Sequence, residues 1–171
     1  MKSKYIILFI GALIISPAFL SGQNATKQAG LRPGYRGGIF YQITNKAGNA
    51  EIGYNAMLSF NNNGVQLTGL RIIYETSLSE ISPDLFFAWG YGGHVGFIYA
   101  DHLGFLGERY SFQGERLCPV FGADGWLAAE YRFSDIPLNL SLNIKPFVEL
   151  TMPSFVKIMP ADIGISVSYV F

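Results

Sequence analysis

From Tyr35 to Phe171 the chain repeatedly alternates apolar with polar or small residues at a period of two. Extended strands send successive side chains to opposite faces, so each run predicts a strand with one greasy face. The clearest run places Leu85, Phe87, Trp89, Tyr91, Val95, Phe97 and Tyr99 on odd positions. Ala88, Gly90, Gly92, His94 and Gly96 occupy the even ones, so one face is aromatic and the other almost bare. The final run repeats the design, with Ile163, Ile165, Val167, Tyr169 and Phe171 opposing Gly164, Ser166 and Ser168.

Five further strands follow from the same pattern. They span Tyr35–Asn45, Glu51–Phe60, Val65–Thr76, Phe121–Phe133 and a run from Leu138 to Lys145. Pro146 interrupts the last of these, so a bulge or a lost ladder bond is expected there. Lys46–Asn49 and Ser134–Pro137 are turns, and Asn61–Gly64 carries the Asn-Gly hairpin signal. Ser79–Asp84 and residues 151–160 read as loops, and residues 23–34 as a polar periplasmic lead-in. The Val65–Thr76 strand has a phase fault: Val65 and Leu67 share one parity, Leu70, Ile72 and Tyr74 the other. A β-bulge near Thr68–Gly69 accounts for it, as does a misread register.

These runs make seven strands. Single-chain bacterial membrane barrels have an even number, so one strand is hidden. Leu103–Gln113, within the obscure stretch 101–119, is the best candidate and brings the count to eight. If the strand from Tyr35 runs outward, the aromatics sort into two belts, as membrane interfaces favour. Tyr35, Phe60, Phe97, Tyr99, Tyr131, Phe133, Tyr169 and Phe171 then lie at the periplasmic ends. Tyr41, Tyr54, Tyr74, Phe87 and Trp89 lie at the outer ends.

The N-terminal stretch supplies an address. Lys2 and Lys4 precede an apolar run from Tyr5 to Ile15, Ser16-Pro17 breaks it, and Ser21-Gly22 offers small residues for cleavage. That layout predicts a secretory signal peptide over residues 1–22 and a mature single domain over 23–171. Half of the residues are apolar, yet after residue 22 no run reaches helix-spanning length. A membrane barrel dilutes its apolar residues one in two in this way. Twelve basic residues balance twelve acidic ones, which gives no footprint for nucleic acid. Cys118 is the single cysteine, so no intramolecular disulfide forms.

Candidate chemistry is sparse. Arg36, Glu51, Asp124, Glu130, Arg132 and Lys145 fall on the polar faces and are expected to point inward as an ion-pair network. A basic residue on the lipid face at mid-membrane would cost about 2–4 kcal/mol. Gly90–Gly96 is Gly-rich but fails the GxGxxG spacing and lies within a strand, so its glycines read as relief of crowding in the interior. His94 reads as a hydrogen-bonded interior residue. His102 follows Asp101, which could orient its imidazole, and Ser111 is a conceivable nucleophile, but neither GxSxG nor HExxH is present. Cys118, beside Pro119, reads as a strand-end residue rather than a metal ligand. No catalytic, cofactor or metal set is assigned.

The ending Gly164-Ile-Ser-Val-Ser-Tyr-Val-Phe171 resembles the C-terminal strand of bacterial outer-membrane barrels, which the barrel-assembly machinery reads. Over residues 23–171 the chain resembles small outer-membrane β-barrels of the outer-membrane protein A type, and Phe133–Leu142 is similar to small barrels of unassigned function. The resemblance implies an all-β, transmembrane, antiparallel up-and-down barrel in the outer membrane of a Gram-negative cell. Its partners would be outer-membrane lipids and, through Phe171, the assembly machinery. Its implied role is non-enzymatic: structural or surface-interacting, with side chains filling the interior. The outer loops read as short, which weakens an adhesin. Two rivals stay open: a lipid-modifying enzyme using His94 or His102, and a narrow transporter of small apolar molecules with a lateral opening near Pro146. A soluble lipocalin-like barrel, apolar inside and polar outside, is the rival at the level of fold.

Overall fold

The computed structural model describes residues 25–34, 36–47, 50–61, 63–75, 82–105, 108–152 and 155–171, without the side chains of 47, 50, 61, 100–115 and 155. The expected signal peptide and Tyr35 lie outside the described residues.

Ten strand segments run in chain order: β1 (Ala25–Arg32), β2 (Gly38–Ala47), β3 (Ala50–Asn61), β4 (Gly64–Glu75), β5 (Leu85–Phe105), β6 (Glu108–Arg132), β7 (Leu138–Ile144), β8 (Phe147–Thr151), β9 (Phe155–Met159) and β10 (Ile163–Val170). Each pairs antiparallel with its neighbours, and β1 pairs with β10, which closes the sheet. β7 and β8 are one wall broken at Lys145-Pro146, and β9 and β10 are another broken at residues 160–162. The result is a closed, antiparallel, eight-stranded up-and-down barrel.

Phe171 N donates to Lys27 O at 2.9 Å, so both ends of the described chain meet at one rim, here the terminal rim. The far rim holds the β1–β2 connection, the β3–β4 hairpin and the long β5–β6 hairpin. β4 pairs with β5 only as far as Ile98, and β8 pairs with β6 only from Val120 onward. Residues 99–105 and 108–119 therefore form an arm that rises past its neighbours, by about 20 Å at ordinary strand rise.

The outward face is apolar and the inward face polar. Leu67, Val95, Leu142, Ile165 and Val167 are exposed, whereas Gln42, Thr68, Asn143, Lys145 and Ser166 are buried. The bare face of β5 looks into the lumen. Such inverted amphipathicity belongs to a transmembrane barrel and opposes a lipocalin-like interior.

Several expectations need correction. Residues 25–32 are a strand, not a lead-in, and this is the missing eighth wall. Leu103–Gln113 is no separate strand: it straddles the tip of the arm, so the surface projection is long. Phe155–Met159 is a strand within the expected loop. β4 has no bulge near Thr68–Gly69, because its pairing with β3 and β5 is continuous through both residues. Leu70, Ile72 and Tyr74 simply face inward, where they pack with Ala88, Trp126 and Ala128 as an apolar plug in the lumen.

The extra wall at the start reverses the expected direction of β2 to β5 relative to the later strands. Phe60, Phe97 and Tyr99 thus lie toward the far rim, opposite Tyr131, Phe133, Tyr169 and Phe171. Tyr41 sits at the terminal rim, its ring 6.3 Å from that of Phe171. Two belts remain, with changed members.

Candidate functional site

The distinctive chemistry lies inside. Toward the far rim, three basic side chains (Arg32, Arg36, Lys145) meet three acidic ones (Asp124, Glu149, Asp162). Arg36 follows β1 in the turn and reaches across to β8. Its Nη1 and Nη2 donate to the two carboxylate oxygens of Glu149 at 2.7 and 3.1 Å, and Nη1 also reaches Gln66 Oε1 at 2.6 Å. Its guanidinium carbon lies 4.3 Å from the centre of the Phe147 ring. Arg32 donates to Asn143 Oδ1, Asp162 Oδ2 and Asp162 O at 2.8, 3.1 and 2.8 Å. Lys145 Nζ donates to Asp124 Oδ1 at 3.2 Å.

His94 stands between the acids. Its Nδ1 lies 2.7 Å from Asp124 Oδ2, and since a carboxylate only accepts, Nδ1 carries the proton. Nε2 lies 3.3 Å from Glu149 Oε2 without the alignment of a hydrogen bond. Glycines make room for this packing. A Cβ at Gly122 would meet the His94 ring at 2.5 and 2.7 Å, and one at Gly164 would meet the Arg32 guanidinium at 2.8 Å.

Nearer the terminal rim a second layer forms. Arg132 donates to Glu51 at 2.8 and 3.1 Å and to Glu130 at 2.8 Å. Tyr74 OH donates to Glu130 at 3.1 Å and accepts from Gln42 at 2.7 Å. A vestibule of about 440 Å³ opens at this rim and reaches Glu51 and Arg132. Between Gln42, Tyr74 and Trp126 the free space shrinks to about 20 Å³, room for little more than a water.

All six charged residues expected inward do face the lumen, and all six join ion pairs. His94 is inward and bonded. Asp101, His102 and Ser111 lie on the arm, and His102 and Ser111 are cross-strand partners in the backbone register, but their side chains lie outside the described residues. Cys118 is not at a strand end: it sits within β6, buried. Among the described residues no group of three or more His, Cys, Asp or Glu is placed to hold a metal ion.

Arg32, Glu149 and Asp162 were missing from the expected network. Glu149 had a readable signal, since Val148 and Leu150 alternate with it, but the Pro146 break hides the strand. The wall is sealed there: Gly125 N donates to Pro146 O at 2.8 Å and Lys145 N to Asp162 O at 2.9 Å. Such bonds oppose a lateral opening at this point.

No family model and no curated protein matches the chain. Among solved structures it is similar to the crystal structure of the N-terminal β-barrel domain of Pseudomonas aeruginosa OprF. The TM-score is 0.57 at 12% identity, covering 88% of this chain and all of that one. At that identity the likeness carries the barrel fold alone.

Proposed function

We propose that this chain is an integral outer-membrane barrel of a Gram-negative cell, non-enzymatic, acting as an envelope structural element that presents the β5–β6 arm at the surface. The observation that carries this reading is an apolar outer wall around a lumen blocked by two ion-pair layers and an apolar plug. An occluded lumen suits neither an open pore nor a porin-like channel. A buried His94, with a fully enclosed side chain, has no path to a substrate.

In this reading residues 1–22 are a signal peptide, both ends face the periplasm, and the strand ending at Phe171 is presented to the assembly machinery. The arm, the longest projection of the described residues, then faces outward, where a surface partner would meet it.

Gel mobility with and without boiling is the direct test. A detergent-solubilised outer-membrane fraction should yield a compact band that shifts on boiling, and planar bilayers should show flat conductance. A non-shifting protein in the soluble periplasm would refute the membrane location. Altered lipid A or phospholipid acylation on overexpression, lost in H102A, would instead favour the lipid-modifying alternative.

A further inference from the structure

The outward face of β4 carries one basic residue in an otherwise greasy neighbourhood. Arg71 has Tyr54 and Tyr91 as its cross-strand partners, all three on the outer wall. Its Nη1 donates to Tyr91 OH at 2.8 Å, and its guanidinium carbon lies 6.0 Å from that ring centre. Among the described residues no carboxylate pairs with it. A guanidinium has five N–H donors, so most of its donor capacity remains for an anion. Arg71 lies four residues from Glu75, the terminal-rim end of β4, about 13 Å along the strand, a depth at which a long side chain reaches the headgroup layer.

A groove begins immediately beyond it. Two residues along the same face is Gly69, and the directly paired row Ala56, Gly69, Gly93, Ala123 lacks bulk on the outer wall. The space above this row is about 720 Å³, walled by Leu67, Val95, Phe121 and Leu150. A Cβ at Gly69 would meet nothing within 4 Å. A cationic, hydroxyl-flanked point at the headgroup level thus adjoins an apolar trough leading toward mid-membrane. That combination complements one kind of molecule: an anionic head joined to an alkyl chain.

We propose that Arg71, Tyr54 and Tyr91 hold the phosphate of a glycerophospholipid from the leaflet at the terminal rim, with one acyl chain lying over Gly69 and Gly93. Arg–phosphate hydrogen bonds are charge-assisted and among the stronger ones, and tyrosine hydroxyls supply further donors. The inference rests on the outer-membrane reading above.

Native mass spectrometry of the full chain, released from micelles containing palmitoyl-oleoyl phosphatidylglycerol, reads it out. Diacylglycerol with the same chains serves as the phosphate-free comparison. The native chain should retain phosphatidylglycerol and not diacylglycerol. R71Q should lower the retained fraction by roughly tenfold, the scale of one lost charged hydrogen bond. G69L, which fills the trough, should lower it although Arg71 is intact, and Y91F offers a milder change should either variant fold poorly. Millimolar inorganic phosphate should not displace the lipid. Equal retention by the native chain and by the variants that shift on boiling would overturn the proposal, as would displacement by phosphate alone. Absence of any boiling shift in the native chain would instead overturn the membrane reading itself.

Discussion

Arg36 and Glu149 are 113 positions apart in the chain, yet two nitrogens of the one grip both oxygens of the other across the lumen. Both side chains are almost fully buried, so removing one partner strands a charge. E149Q should therefore destabilise the barrel by about 3–5 kcal/mol. Replacing both with apolar residues of similar size, R36M together with E149L, should recover much of that loss. Urea titration followed by unboiled gel mobility measures both. A double variant as weak as the single would show that His94 and Gln66, not the pair itself, set the cost.

The glycines beside the network should be unequal. Gly122 sits against the Val148 backbone carbonyl and the held His94 ring, and Gly164 against the held Arg32 guanidinium, so G122A pushes on the β8 backbone and His94 and G164A on Arg32. Overpacking of this kind costs about 1–3 kcal/mol. G69A, facing open space on the outer wall, should change stability by less than about 0.5 kcal/mol. Equal effects at all three positions, in the same urea titration, would contradict the inward crowding.

How much of this was legible in the chain varies with how each wall is coloured. β5 and β10 declare themselves because their outward residues are mostly large and apolar and their inward ones mostly small, with Gly93 outward and Phe86 and His94 inward among the exceptions on β5. β1 was invisible because Lys27, which is buried, and Ala29 share the parity of Leu31, and only Leu31 is a large apolar residue on that parity. Its absence from the count reversed four walls and moved Phe60, Phe97 and Tyr99 to the wrong belt. The ion-pair residues on clear strands were readable as inward from parity alone. Arg32 was hidden with β1, and Asp162 lies in a break that has no period.

β4 offers a sharp test of continuous phase. Parity in the structure puts Leu67 and Ile73 on the lipid side and Leu70 and Ile72 in the plug, although all four are aliphatic. L67C and I73C, labelled with a fluorophore in liposomes, should be quenched by a lipid-borne quencher. L70C and I72C should resist labelling in the folded state, as Cys118 in its buried position should. A bulge near Thr68–Gly69 would move Leu70 and Ile72 to the lipid side and make L70C and I72C quench like L67C.

The arm should be separable from the barrel. Ala100 and Arg116 are directly paired, and the walls below them are held by β4 and β8, not by the arm. Replacing residues 101–115 with Asn-Gly closes that pair with the two-residue turn that suits right-twisted strands. The shortened chain should still insert and shift on boiling, with urea stability within about 1 kcal/mol of the full chain, since none of the interior ion pairs or plug residues described above is touched. Any surface binding should vanish with the arm. Failure of the shortened chain to reach the membrane would mean instead that the β5–β6 hairpin helps the barrel form, as expected if this most extensive strand pairing zips first and templates the neighbouring walls.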